Sequence, residues 1–514
     1  MSNSRLGRFL HGLGLGYFHT AATVIIGLWL TPYILGHLGS HDYGLWLLGA
    51  QVLVYLSLMD LGVVALVPRE VARTAGDYAA LQSLIAKVTR IVYWQLPCVA
   101  IVAVIVIWLL PAEWGQLRWP LGIVVLIFVV TFPLRVAGAV LQGLQDLAFL
   151  GRTQIAGWAA GTAVTVIAIA AGLQLFSLAL GWVTTQLVSS MCQWRRLRTT
   201  FAEALPVQVH PLNVSEMRQE LRRSVWISVG QVAQVLLAGT DLVVIGWLLG
   251  PEAVVVYACT GKLMALLANQ PQMFMQMALP ALSELRVSAT REHLFAVARS
   301  MSQIMLLLSG AIVLTVFSVN GPFVSWWVGP SRFGGGGLTA ILLLTMLVRH
   351  VNVTFVYTLF CFGHERRLAL TPVADGLVGL ILMVLLVPVL GLYGAALGSL
   401  ASLVLISLPA NVIALVREAG SSPRAYLAPM LPWLFRFLAV MSGVAICVYF
   451  WIPAGPWRFV PLAIVVGALY IVVMLPVMST PPLGPILAAR LQPWLSRVPR
   501  LARHLAKPAN ALAR

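Results

Sequence analysis

Charge is scarce in this chain. Only 10% of its residues are Asp, Glu, Lys or Arg and 60% are hydrophobic, where an ordinary soluble domain carries roughly 25% charged residues. A soluble core could not absorb so much apolar surface. Cysteine is scarce too: Cys98, Cys192, Cys259, Cys361 and Cys447 stand singly in or at the ends of apolar runs. With no metal-ligand spacing and no cluster outside those runs, neither a disulfide nor zinc is expected. There is no GxxxxGK[ST] loop to cradle a nucleotide, no HExxH and no GxSxG, so the expectation is a protein that is not an enzyme and uses no cofactor.

What is abundant is long apolar runs, each of about 20 residues and so long enough to cross a bilayer. They cover 12–35, 44–67, 91–110, 119–141, 153–172, 176–194, 224–249, 254–279, 300–319, 338–361, 370–389, 393–416, 433–452 and 458–477. These predict an all-α polytopic membrane protein with about 14 transmembrane helices. Of the 33 Lys and Arg residues, 27 fall on the side of alternate connections, Arg436 at the inner end of its span counted with them, and only Arg118, Arg332 and Arg458 on the other. Arg135, Lys262 and Arg349 lie inside spans. Such an asymmetry is the positive-inside pattern, so both termini are expected in the cytoplasm. The first run follows Arg5 and Arg8 and is too long for a cleavable signal. The net charge of +17 and pI of 10.4 then reflect loops facing anionic lipid, and nucleic acid is not an expected partner.

The connections expected outside are short, and only 320–337, with the run Gly334 to Gly337, is longer. The working parts must therefore lie within the membrane. A weak internal repeat divides the chain. Leu38-Gly39 matches Leu249-Gly250 and Val67-Pro68 matches Leu279-Pro280, at offsets of 211 to 212. Gly143 to Asp146 matches Gly363 to Arg366, and Gly172-Leu173 matches Gly391-Leu392, at 219 to 220. Correspondences in this order, with six spans per unit, predict two six-helix lobes in parallel pseudo-repeat. The expected domains are an N-lobe at 1–194, a basic amphipathic cytoplasmic linker at 195–223, a C-lobe at 224–416, and two extra spans with a basic tail at 417–514. In that tail Leu491, Trp494, Leu495, Val498 and Leu501 share a helical face opposite Arg497, Arg500 and His504, the pattern of a membrane-surface helix.

An ionisable group near the bilayer centre costs at least about 2.5 kcal/mol, so it faces a partner or a wet cavity. Candidate anions are Asp60, Asp241 and Asp375; candidate cations are Arg135, Lys262 and Arg349. Asp241 and Lys262 fall at similar depth on successive antiparallel spans, either as a salt bridge pinning spans seven and eight or as a cavity-facing pair that opens during transport. Asp60 and Arg135 match in depth near the inner ends of spans two and four. Arg349, mid-span and followed by His350 and Asn352, is the best single candidate for gripping an anionic group, because its planar fork of donors suits phosphate. Asp375 offers the plainer alternatives: it satisfies Arg349, or it snorkels to the inner surface. Gln231 and Gln234 on span seven, and Asn269, Gln270, Gln272 and Gln276 on span eight, suit either sugar hydroxyls or hydrogen bonds between helices. His19 is either a proton site or a structural histidine.

The run Leu30-Thr31-Pro32-Tyr33-Ile34-Leu35-Gly36-His37-Leu38-Gly39-Ser40-His41-Asp42-Tyr43-Gly44-Leu45-Trp46, followed by Leu56 to Gly62, resembles the opening of the polysaccharide exporters. These form a branch of the multidrug/oligosaccharidyl-lipid/polysaccharide superfamily. Asp241 to Val254 with Tyr257 resembles the same signature opening a second lobe. The resemblance runs over most of 12–416, and fourteen spans are also similar to the lipid II flippase branch. It implies a V-shaped two-lobe exporter. Spans one, two, seven and eight would line its cavity, setting His19, Asp60, Asp241 and Lys262 beside the substrate. The implied activity is flipping an undecaprenyl-diphosphate-linked saccharide across the bacterial cytoplasmic membrane by alternating access.

On this reading Arg349, Lys262 and Arg135 hold the diphosphate, and Gln231, Gln234, Asn269 and Gln270 contact the saccharide. Asp60, Asp241, His19 and Asp375 couple the cycle to H⁺ or Na⁺. Expected partners are that lipid-linked saccharide, membrane lipid and envelope polysaccharide assembly proteins. The competing expectations are a cation-coupled drug exporter on the same scaffold, which the intramembrane cations disfavour, a membrane glycosyltransferase or polymerase, and a structural assembly factor.

Overall fold

A computed structural model describes residues 2–60, 62–74, 76–206, 229–233, 235–237, 239–288, 290–362, 365–420, 422–450 and 455–478, and the side chains of 2–22 lie outside that description. The described residues are helical or in turns, with no strand among them. Among the described residues eleven helices are long and apolar enough to cross a membrane, or thirteen if two bent pairs are each one span. The expected count of fourteen is not confirmed among the described residues. The first two expected spans are the two limbs of α1 (Ser2–Ser57), which breaks within the expected connection, at Gly39, where the backbone has φ 80°. Only glycine adopts such a conformation without strain.

The chain forms two compact units, Met1–Val255 and Val256–Arg514. In the first, α1 is followed by α2 (Val63–Arg73), α3 (Tyr78–Trp108), α4 (Arg118–Thr131), α5 (Arg135–Gly143), α6 (Leu147–Ala170), α7 (Leu175–Thr200) and α8 (Thr240–Leu249). The α9 helix (Pro251–Thr260) crosses the boundary between the units. The second unit continues with α10 (Lys262–Ser288), α11 (Arg291–Val328), α12 (Gly336–Cys361), α13 (Glu365–Leu390), α14 (Leu392–Ser402), α15 (Leu408–Ala419), α16 (Pro423–Leu427), α17 (Leu431–Phe450) and α18 (Pro456–Met478). The expected linker continues α7 as far as Thr200, and its later part, 207–223, lies outside the described residues, as does the basic tail.

Small residues set the closest helix contacts, as expected where lipid removes the hydrophobic drive for helices to associate. Gly157, Gly161 and Thr165 on α6 meet Ser189, Thr185 and Gly181 on the antiparallel α7, and a Cβ on Gly161 would overlap Thr185 Oγ1 and the Gly181 carbonyl. Helices α13 and α14 repeat the device, with Gly394 and Gly398 against the backbones of Leu386 and Met383. The last two expected spans join the core of the second unit. Trp433 Nε1 donates to Tyr470 Oη at 2.9 Å, and Tyr470 Oη donates to the Leu307 carbonyl at 2.9 Å. Aromatic side chains at helix ends, Trp108, Trp119, Trp247 and Trp457, are exposed, as in the interfacial belts of membrane proteins.

The repeat seen in the sequence has a conformational counterpart. Gly39 and Gly250 share a left-handed, extended backbone, φ 80° and ψ 176° against φ 92° and ψ 168°. The residue opening α14, Gly391, has φ 59° and ψ −136°, and the one opening α7, Gln174, has φ 44° and ψ −130°. The conformational match to Gly391 is thus Gln174, two residues beyond the Gly172 that the sequence suggests. Beyond the two glycines, Gly44 lies tight against the Pro251 backbone, and His41 Nδ1 donates to Glu252 Oε1 at 2.7 Å. Both of these side chains are well exposed.

Candidate functional site

Two helix breaks bring Asp60 and Arg135 together. The sequence Asp60-Leu61-Gly62 encodes the first: Asp60 Oδ1 accepts the Gly62 N–H at 2.9 Å, an Asx-turn, and Gly62 at φ 71° opens α2. Pro133 encodes the second, because it has no N–H with which to continue the hydrogen bonds of α4. A short 3₁₀ turn, Phe132–Leu134, separates α4 from α5 there. Arg135, first residue of α5, reaches Asp60 Oδ2 through Nη2 at 3.1 Å and the Ser57 carbonyl through Nη1 at 3.2 Å. Gln95 Nε2 donates to the Asp60 carbonyl at 3.1 Å. The Asp60 side chain is 2% exposed and that of Arg135 27%. The pairing expected from depth alone is present. Substituting alanine at Gly62 is expected to lower the melting temperature of the detergent-solubilised protein, as a left-handed residue with a Cβ costs about 1–2 kcal/mol.

The exposed side of Arg135 faces a cavity of 550 Å³ walled by α1, α4, α5 and α7. Its polar lining is Ser57, Arg135, Gln186, Ser189, Ser190 and Gln193, with the indole of Trp182 beside them. Gln186 Nε2 donates to Thr131 Oγ1 at 3.2 Å and to Ser190 Oγ at 3.4 Å. Gly138 leaves room for the amide of Gln193, which a Cβ there would strike.

The remaining site candidates are spread over both units. Asp241, in the first turn of α8, accepts the N–H of Leu242 at 2.9 Å. Gln231 is half-buried, and its Oε1 has no partner among the described residues. Gln234 and the side chain of His19 lie outside the described residues. In the second unit, Lys262 opens α10 just after the 51° bend that separates it from α9. Asn269 and Gln270, further along α10, are exposed.

Arg349 is half-buried on α12 and has no carboxylate partner among the described residues. Its neighbour His350 is buried against Ser309 Oγ, 2.7 Å from Nδ1. Asp375 neither pairs with Arg349 nor snorkels. It is 1% exposed and accepts a 2.6 Å hydrogen bond from Ser407. Ser407 ends a π-helical segment, Leu403–Ser407. This is a local widening that Pro409 favours by removing a helical donor. One turn on, Asn411 Nδ2 donates to Asn352 Oδ1 at 2.9 Å.

Charge-based reading of the sequence passed over Gln95, Trp182, Gln186, Gln193 and Ser407. A signal existed for three of them, since 182, 186, 189/190 and 193 mark one polar face at helical spacing.

Two solved structures share this architecture. The lipid II flippase MurJ in an inward closed conformation matches 89% of this chain and 97% of its own, at 10% identity and a TM-score of 0.63. A multidrug resistance MATE family transporter of the MOP superfamily, inward-facing, matches 78% and 93%, at 12% identity and 0.61. At such identities the likeness is one of fold. No curated protein matches the chain by sequence. The class so defined is a multi-pass, all-helical membrane protein with the fold that these two proteins share. Within it, a family model described as "Polysaccharide biosynthesis protein" matches residues 17–286, and the chain belongs to that family.

Proposed function

We propose that the protein flips an undecaprenyl-diphosphate-linked oligosaccharide from the inner to the outer leaflet of the bacterial cytoplasmic membrane, for cell-surface polysaccharide synthesis. The observation that carries this reading is Arg349, an arginine within a membrane span, with no carboxylate partner among the described residues, in a chain of the polysaccharide biosynthesis family. An uncompensated guanidinium within a bilayer calls for an anion, and a diphosphate supplies one. Lys262, at the bend between α9 and α10, is the second cation of this grip.

The lobes alternate access by rocking while the polyprenyl tail remains in lipid. Both termini face the cytoplasm. An inside-negative potential drives the outward movement of the anionic head, by about 2.3 kcal/mol per charge per 100 mV. Asp60, Asp241 and Asp375 are the carboxylates available to couple H⁺ or Na⁺.

Translocation of a fluorescent undecaprenyl-diphosphate oligosaccharide in proteoliposomes tests the reading. The Arg349→Ala and Lys262→Ala variants are each expected to slow it by about tenfold or more, as loss of a hydrogen bond to a charged group costs about 1.5–3 kcal/mol. No protein-dependent movement under an imposed potential, or native rates in both variants, would overturn it.

A further inference from the structure

We infer that the cavity between α1, α4, α5 and α7 is a saccharide subsite, which takes one neutral pyranose ring of the transported head group. The inference rests on the flippase reading above and adds to it a place for the sugar, separate from the phosphate grip. At 550 Å³ the cavity falls within the range of about 300–1,000 Å³ typical of small-molecule sites.

Its chemistry selects the ligand class. Among the described residues of the lining Arg135 is the only charged side chain, and Asp60 balances it at 3.1 Å. A wall without net charge is a poor holder for a diphosphate. Two carboxamides, Gln186 and Gln193, and hydroxyls that include Ser57 and Ser190 present donors and acceptors together, as sugar hydroxyls require, since each both donates and accepts. Trp182 adds a flat apolar surface at the same wall, fit to cover the C–H face of a pyranose while the amides take its edge. Neither amide is spent wholly on the fold. Gln186 uses its nitrogen on Thr131 and Ser190, which fixes the amide and leaves its carbonyl oxygen to accept.

A polar wall in a membrane protein has a plainer use in joining helices. Gln186 serves that use with its nitrogen, toward Thr131 on α4, but its oxygen and the other polar groups of the wall are not needed for it, and α6 and α7 are locked by the adjoining face of glycine, serine and threonine. The stripe 182, 186, 190 and 193 is turned to the cavity.

The test compares two lipids on the full-length protein in nanodiscs: undecaprenyl diphosphate bearing a neutral trisaccharide, and bare undecaprenyl diphosphate. The native protein is expected to bind the glycosylated lipid more tightly. Gln186→Leu with Gln193→Leu, and separately Trp182→Ala, are expected to weaken binding of the glycosylated lipid about tenfold and to leave the bare lipid within about twofold, which also shows that the variants fold. Equal weakening for both lipids, or none for either, would overturn the subsite. Equal native affinity for the two lipids would overturn the subsite alone. Failure of the native protein to bind either lipid would overturn the flippase reading and the subsite with it.

Discussion

Arg135→Ala is expected to be among the most damaging single substitutions in the first unit, with a loss of about 3–5 kcal/mol. The reason is what it leaves behind. Asp60 is 2% exposed and its Oδ2 faces the guanidinium, so removing the cation strands a carboxylate where water cannot solvate it. Asp60→Asn should be far milder, because an amide oxygen can still accept the Gly62 N–H and keep the Asx-turn. The double variant, Asp60→Asn with Arg135→Met, carries no stranded charge and should recover most of the stability lost in Arg135→Ala. Melting of the four proteins in one detergent decides the matter. If the double variant is no more stable than Arg135→Ala, the pair does not set the stability of this break, and the hydrogen bond from Arg135 to the Ser57 carbonyl becomes the better explanation.

Gly161→Leu should be comparably severe, at about 3 kcal/mol or more, through overpacking. The atoms in the way include a backbone carbonyl, that of Gly181, besides the Thr185 hydroxyl, and a carbonyl within a helix cannot rotate aside. The two helices would have to part along the whole run from Gly157 to Thr165. Gly122 supplies the control. It is helical, and nothing lies within 4 Å of where its Cβ would stand, so Gly122→Ala should be neutral or slightly stabilising. Equal melting shifts for Gly161→Leu and Gly122→Ala would contradict the close approach of α6 and α7.

Much of this architecture can be read from the residues because a bilayer punishes errors so heavily. Each uninterrupted apolar run is a span, and each ionisable group within one needs a reason. Depth counting is enough to match Asp60 with Arg135, and Pro133 and Gly62 announce the breaks that let them meet. The same counting fails for Asp375. Its partner, Ser407, carries no charge to draw the eye, and it sits in a π-helical segment whose altered periodicity shifts which residues face inward. The lined cavity is missed for a related reason: glutamine, serine and tryptophan at helical spacing read as neutral filler when charges are the search criterion. The break between the first two expected spans is one that hydropathy does catch. The polar stretch from Gly36 to Tyr43 interrupts the apolar pattern where the Gly39 backbone, at φ 80°, interrupts the helix.

The bond between His41 and Glu252 spans 211 residues, the same offset that relates Leu38-Gly39 to Leu249-Gly250. Each of the two is therefore the other's counterpart in the repeat. A homodimer made from a single repeat would bring two identical side chains to this junction. Two histidines repel once protonated, and two glutamates repel whenever ionised. An imidazole facing a carboxylate needs two unlike residues at the equivalent positions, which a fused chain, whose halves are free to diverge, supplies, so this contact is one that exact symmetry forbids and duplication followed by divergence makes available.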